Sequence, residues 1–351
     1  MSFRPRATVH LPHIVANWQA IDQLHPGATT AAVVKANGYG LGALRVSSAL
    51  SKAGCNTFFV AHVEEGVMVR RTLGQRPRIF VLNGPAETDM RSYREAALTP
   101  ALSSPEQVDL WTRDGRGPCA LHFDTGINRL GLPPAMIETH LDALKKLQPV
   151  LVMSHLACAD EPDHPFNQIQ LERFIRIADA FPDTPASLAN SAGCYLGPDY
   201  AFDLLRPGIA LYGGSDAPGH VPLQPGVTLE ARIVSVFKAR AGETVGYGAT
   251  HTLKRDSLLA TVALGYADGI PRAGSNTLIG YLDDAPCPVL GRVSMDLITI
   301  DVSKAHEAAK TGGRVEFLGA HAKLEDQAAR AGTLGYELLT GLSNRVERFY
   351  A

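Results

Sequence analysis

This chain lacks paired cysteines, long apolar runs and an excess of charge of either sign, and each absence removes a class of function. Its 351 residues carry 33 Lys plus Arg against 35 Asp plus Glu, so no net field draws it to nucleic acid or to a membrane surface. No segment approaches the ~18 consecutive apolar residues of a membrane span. The opening Met1-Ser2-Phe3-Arg4-Pro5-Arg6 has no apolar leader core. The simplest reading is a cytoplasmic protein without a membrane or nucleic-acid partner. The five cysteines, Cys55, Cys119, Cys158, Cys194 and Cys287, are odd in number and scattered. None forms a Cys-x-x-Cys pair or a metal-ligand spacing with histidine, so they read as reduced, mostly buried small hydrophobes and no metal site is expected. No Gly-Lys-Ser/Thr is present in a glycine loop, which excludes a Walker-type phosphate site.

What is present is a regular beat. Short apolar or β-branched runs at 30–35, 57–61, 78–82, 98–102, 120–124, 150–154, 186–190 and 202–206 alternate with helix-period segments such as 134–147 and 168–180. Eight strands alternating with helices over roughly 200 residues match a (β/α)8 barrel better than an open doubly wound sheet. The Gly- and Pro-dense stretch 213–222 reads as a linker. Beyond it strand-like runs dominate: 229–239, 258–264, 277–282, 288–290, 297–302 and 314–318, with short helical pieces at 322–331 and 334–342. The expected architecture is therefore a barrel over 11–222 followed by a β-rich domain over 223–351. The strand-like residues 1–10 can join the second domain.

Barrel enzymes gather their working groups at the C-terminal ends of the strands. Those ends carry Lys35, Asp124 with Arg129 just beyond, His155, Asn190-Ser191 and Arg206. Lys35 closes an apolar strand and opens the loop Ala36-Asn37-Gly38-Tyr39-Gly40-Leu41-Gly42. An amine at the mouth of an apolar core is desolvated, which lowers its pKa and frees its lone pair for imine chemistry. The loops after strands seven and eight are where barrels often build phosphate sites, and here they contain Gly193 and Gly208. A phosphate-bearing cofactor within reach of a lysine amine suggests pyridoxal phosphate. Each piece also has an ordinary reading: a snorkelling lysine, a satisfied core histidine, a surface ion-pair arginine, an Asx turn. Their conjunction at corresponding strand ends is what those readings do not supply.

Taken together, the segments resemble alanine racemases, fold-type III pyridoxal-phosphate enzymes, over nearly the whole chain. The resemblance rests on Val33-Val34-Lys35-Ala36-Asn37-Gly38-Tyr39-Gly40, Asp124-Thr125-Gly126 leading to Arg129-Leu130-Gly131, Ser154-His155-Leu156, Ala189-Asn190-Ser191 and Arg206-Pro207-Gly208-Ile209. It continues in Val245-Gly246-Tyr247-Gly248, Gly265-Tyr266-Ala267-Asp268-Gly269 and Gly291-Arg292-Val293-Ser294-Met295-Asp296. It implies a homodimer with shared active sites that interconverts L- and D-alanine and supplies D-alanine for peptidoglycan. Lys35 would carry the cofactor and act as base on the D-alanine face, and Tyr247 of the partner subunit would act on the L-alanine face. Arg206 would donate to the pyridine nitrogen, supported by His155. Tyr39, Asn190, Ser191, Gly208 and Ile209 would lie around the cofactor, all but Asn190 at its phosphate. Arg129, Met295 and Tyr266 would contact the substrate or narrow its entrance.

Three positions depart from the family pattern. Leu41 replaces a common histidine, and Asn344 stands where some members place a tyrosine. His122 stands where many members carry a carbamylated lysine beside the arginine, and histidine cannot be modified in that way. Either a neutral His122 accepts from Arg129 or a small anion lies between them, because two unscreened cations at close range are unfavourable. The competing readings are a racemase of serine or of a broader set of amino acids, a decarboxylase on the same fold, and a non-catalytic cofactor-binding barrel. Arg206 and the Tyr247 segment speak against the decarboxylase, and the β-rich half speaks against the bare barrel.

Overall fold

Several strands of the first half are buried along their whole length, among them Thr57–Val60 and Thr99–Leu102. Parallel strands covered by helices read in this way, as continuous apolar runs. The computed structural model describes residues 3–115, 117–214 and 222–351, and most of the expected linker 213–222 lies outside the described residues. A seven-stranded parallel sheet runs in chain order through Ala32–Val33, Thr57–Val60, Arg78–Val81, Thr99–Leu102, Ala120–His122, Leu151–Met153 and Ala186–Ser187. An eighth strand, Leu204–Leu205, pairs in parallel with Thr29–Thr30, just ahead of the first. Its other side is tied to the seventh by Asp203 N–H to the Ala186 carbonyl (3.0 Å) and Arg206 N–H to the Ala189 carbonyl (3.1 Å). The eight strands thus close into a TIM-like barrel.

The regular ladders are shorter than the apolar runs that announced them. The run at 30–35, for instance, is divided between two partners. Ala31 N–H donates to the Leu205 carbonyl (2.9 Å), and Val34 N–H donates to the Phe59 carbonyl (2.9 Å). Phe59 and Phe80 stack at 4.7 Å between ring centroids in the core. Outside, helices such as Pro165–Asp179 bury Leu171, Phe174 and Ile177, the helical stripe that the 3.6-residue period requires.

The β-rich half is a compact unit of its own: the chain up to His13, Tyr212–Gly214 and Gln224–Ala351, against Ile14–Leu211 for the barrel. Its long strand Val227–Ala239 pairs antiparallel with Arg6–Val9, Arg314–Leu318 and Ser257–Val262. Ser257–Val262 pairs with Ile298–Asp301, and Ile279–Leu282 pairs with Ala285–Pro288. Register shifts at Leu229/Glu230 and Ile233/Ser235 mark bulges in the long strand, which bend it and strengthen its twist. Two pieces had no clear sequence signal. One is Glu347–Tyr350, parallel to Arg6–Val9; the other is the small hairpin Thr244–Val245 with His251–Thr252. The strand expected at 288–290 ends at Pro288, and Val289 forms only an isolated bridge to Ile300.

Candidate active site

Lys35 lies just past the first barrel strand, separated from it by Val34, and the backbone after it winds the wrong way. Ala36, Asn37, Gly38, Tyr39 and Gly40 have φ of 51, 54, 62, 53 and 79°, a full left-handed turn closed by Gly40 N–H to the Ala36 carbonyl (2.8 Å). Left-handed helix costs an L-residue roughly 1–2 kcal/mol, so something must hold it. Glu65 does. One carboxylate oxygen accepts from Ala36 N–H (2.6 Å) and Asn37 N–H (3.4 Å). The other accepts from Ala61 N–H (2.8 Å) and His62 N–H (3.2 Å). The same carboxylate therefore caps the helix Val63–Leu73 and clamps the lysine turn.

Within the barrel unit, Lys35 faces several cationic or basic groups. Its pKa is lowered, first by burial and then by Arg129 and Arg206, with Glu65 opposing. Arg206 is 4% exposed. Its guanidinium donates to Ser187 Oγ and to the carbonyls of Ser154 and Leu188, and burial pushes its pKa down to about 10. It remains a cation at neutral pH. Its Nε makes no hydrogen bond among the described residues and is left for a ligand. The ring of His155 makes no hydrogen bond to Arg206; burial, Arg206 and Arg129 hold its pKa well below the usual histidine value. Sequence reading missed Ser187 as the support of Arg206, because a serine in a two-residue strand carries no signal of its own.

Ser191, Gly208 and Tyr39 converge. Ser191 Oγ accepts from Gly208 N–H (2.7 Å) and Ala210 N–H (3.3 Å). A Cβ at position 208 would lie 2.1 Å from the Tyr39 hydroxyl, so only glycine admits this approach. The intervening Ile209 N–H donates to nothing among the described residues, although Ile209 is buried. An unpaired backbone donor beside two hydroxyls is an anion cradle. Asn190 takes its ordinary reading: Oδ1 accepts from Gly193 N–H (2.9 Å) and caps the turn.

Arg129 is exposed on the turn 124–131, which is pinned to the strand end by Leu132 N–H to the His122 carbonyl (2.7 Å) and Asp124 N–H to the Leu132 carbonyl (3.0 Å). It forms no ion pair with a carboxylate among the described residues. His122 is buried, with Nδ1 3.1 Å from Ser103 Oγ and Nε2 without a partner. Among the described residues, neither the hydrogen bond from Arg129 nor a carboxylate substitute is present. The cysteines are all free, and four of the five are buried; burial raises Cys194 to about 12. Among the described residues, no group of histidine, cysteine and carboxylate side chains could hold a metal, and no helix is long and apolar enough to cross a membrane.

The other unit carries Tyr247, Tyr266 and Met295. Tyr247 starts the turn Tyr247–Ala249 inside the small hairpin and is 72% exposed. Tyr266 and Met295 sit on adjoining loops, joined by Tyr266 N–H to the Ser294 carbonyl and Ala267 N–H to the Met295 carbonyl, both 3.0 Å.

A lysine of lowered proton affinity, a buried arginine with a free Nε and an anion cradle on one barrel rim define a protein built around a phosphorylated, carbonyl-bearing cofactor. The comparisons make this specific. The family descriptions "Alanine racemase, N-terminal domain" and "Alanine racemase, C-terminal domain" match residues 9–216 and 226–350. Relatives named alanine racemase from Rhodospirillum rubrum and Rhizobium meliloti are 47% and 45% identical, covering 98% and 100% of this chain and 95% and 97% of theirs. An alanine racemase from Bartonella henselae, solved with covalently bound pyridoxal phosphate, superposes with a TM-score of 0.93 at 35% identity over 99% of both chains. The biosynthetic enzyme of Pseudomonas aeruginosa gives 0.94 at 35% identity over 100% of both. This chain belongs to the alanine racemase family.

Proposed function

We propose that this protein is a pyridoxal-phosphate-dependent racemase that interconverts L- and D-alanine, using Lys35 and Tyr247 as the two proton-transfer groups. The observation that carries the reading is the rim itself: Lys35, the free Nε of Arg206 and the Ser191–Gly208–Ile209 cradle lie in one barrel unit of a chain of this family. Residues 11–222 would hold the cofactor, and 223–351 with the N-terminal strand would supply Tyr247.

The residues fit the cofactor. Ser191 Oγ, the Tyr39 hydroxyl and the Ile209 N–H would take its phosphate, Lys35 its carbonyl carbon and Arg206 Nε its ring nitrogen. When bound, pyridoxal phosphate supplies an electron sink that acidifies the hydrogen on the substrate's α-carbon. The chain's own groups do the rest. Burial and two arginines lower the pKa of Lys35, which makes its Nζ a readier proton-transfer group than a solvated lysine. Tyr247 would hold or give a proton at its phenol oxygen on the opposite face. A cation rather than a carboxylate at the ring nitrogen disfavours its protonation and limits the charge drawn into the ring, suppressing side reactions. Arg129 would bind the substrate carboxylate, with the backbone at Met295, and Tyr266 would narrow the entrance. In this reading the enzyme is a cytoplasmic homodimer that supplies D-alanine for peptidoglycan.

Chiral analysis of products after incubation of the purified protein and cofactor with single L-amino acids tests the activity. Alanine should racemise. Borohydride should fix the pyridoxyl group on the peptide containing Lys35, and label on another lysine would overturn the site.

A further inference from the structure

Arg345 lies outside the groups that meet substrate or cofactor, yet it joins the loops that carry Tyr266 and Met295. Its Nε lies 3.1 Å from Asp268 Oδ1 and its Nη2 2.8 Å from Asp296 Oδ1. Asp268 is 1% exposed, belongs to the turn Tyr266–Asp268, and through Oδ2 accepts from Gly265 N–H (2.9 Å). Its carbonyl also accepts from Ser343 N–H (3.1 Å), which brings in the segment bearing Arg345. Asp296 directly follows Met295. The two loops are in backbone contact, since a Cβ on Gly265 would fall 2.2 Å from the Met295 carbonyl oxygen. Three loops thus meet at one guanidinium, and a buried carboxylate on one of them has that guanidinium as its counter-charge.

We infer that Arg345 is a positioning residue: bridging Asp268 and Asp296, it fixes the separation of Tyr266 and Met295 and thereby sets which amino-acid side chains the substrate site accepts. The inference rests on the placement of Tyr266 and Met295 at the substrate. Planar arginine makes both contacts at once, in a geometry that lysine cannot reproduce. Without it, the buried Asp268 carboxylate loses its counter-charge and the turn carrying Tyr266 relaxes away from the Met295 loop. An exposed surface pair would have little effect, and the Asp296 arm alone is of that kind.

The test uses the holoenzyme. In Arg345→Gln, the Tyr266 and Ala267 amides should exchange with deuterated water about tenfold faster, while those of the strand Ser257–Val262 stay unchanged. KM for alanine should rise about tenfold with kcat changed less than about threefold, and kcat/KM for serine relative to alanine should increase. Arg345→Lys should recover part of the loss. Unchanged exchange at Tyr266 and Ala267 overturns the proposal, as do unchanged KM and serine-to-alanine ratio, whatever the melting temperature does. If Arg345→Gln does not fold, Asp296→Asn severs only the outer arm and should move the same readouts less and in the same direction; no movement overturns the bridge. Tyr266→Ala separates the two failures. No change of KM there overturns the placement of Tyr266, whereas a change there with none in Arg345→Gln overturns the role of Arg345.

Discussion

His122 has a nitrogen without a partner, and the hydrogen-bond chain around it says which one. Ser103 Oγ lies 3.4 Å from the Ala101 carbonyl and 3.1 Å from His122 Nδ1, so Nδ1 is the partnered nitrogen. That leaves Nε2 buried and unpaired among the described residues. Burial, then Arg206 and Arg129, push the ring's pKa down to about 4 from 6.5, against the attraction of Asp124. A neutral imidazole among arginines avoids the cation pair that a protonated one would make, although the expected hydrogen bond from Arg129 is not formed. The sign of the pH effect follows. Between pH 6.5 and 4 the unfolded chain takes up a proton that the native chain refuses, so this residue removes stability as pH falls through that window and has no further effect below it. His122→Asn keeps a polar side chain toward Ser103 and abolishes the titration. The wild type should therefore lose about 2.5 kcal/mol more than the variant between pH 7 and pH 4.5. Urea unfolding at the two pH values measures it, and parallel losses would refute the assignment.

At the scale of elements, the lysine turn is a strained piece held by a neighbouring helix. Glu65 satisfies two N–H groups of the left-handed turn and two at the start of its own helix. Glu65→Ala leaves all four without that acceptor and should cost about 2 kcal/mol in denaturant unfolding. It also removes the carboxylate charge that raises the Lys35 pKa, so the amine of the cofactor-free protein should react with an aldehyde at lower pH than in the wild type. A reactivity profile shifted upward would mean that the turn, not the charge, controls Lys35. This coupling was invisible in the sequence. The eight barrel runs were legible because burial on both faces leaves unbroken apolar residues, and Arg314–Leu318 matches its run end to end. The left-handed turn was not, since only Gly38 and Gly40 announce it while Ala36, Asn37 and Tyr39 also adopt positive φ. Nor was the reach of Glu65 to that turn: two of its partners, Ala36 N–H and Asn37 N–H, are backbone amides from another loop, which no pattern of side chains encodes. The rim residues could be read because each stands at a strand end; their supports, Ser187 and Ser103, could not, because their roles depend on neighbours across the sheet.

For the whole molecule, the question is what meets Tyr247, Met295 and Tyr266, which are 72%, 53% and 42% exposed in the single chain. Three large side chains in water, all at positions that the family resemblance places at a substrate, fit a site completed by a second copy. If Lys35 of one chain works with Tyr247 of the partner subunit, a two-fold dimer holds two composite sites. Neither Lys35→Ala nor Tyr247→Phe then has a working site as a homodimer. A heterodimer of the two has one site with both groups intact and one with both lesions. Random reassortment of equal amounts makes about half of the dimers mixed, so activity should return to roughly a quarter of wild type per total site. The chains must first be dissociated and allowed to reassociate with cofactor present, and native mass spectrometry can count the mixed dimers. Recovery in proportion to that count supports the shared site. Mixed dimers that bind cofactor and remain inactive would mean that the lysine and the tyrosine act within one chain, and the exposed face of Tyr247 would then need another explanation.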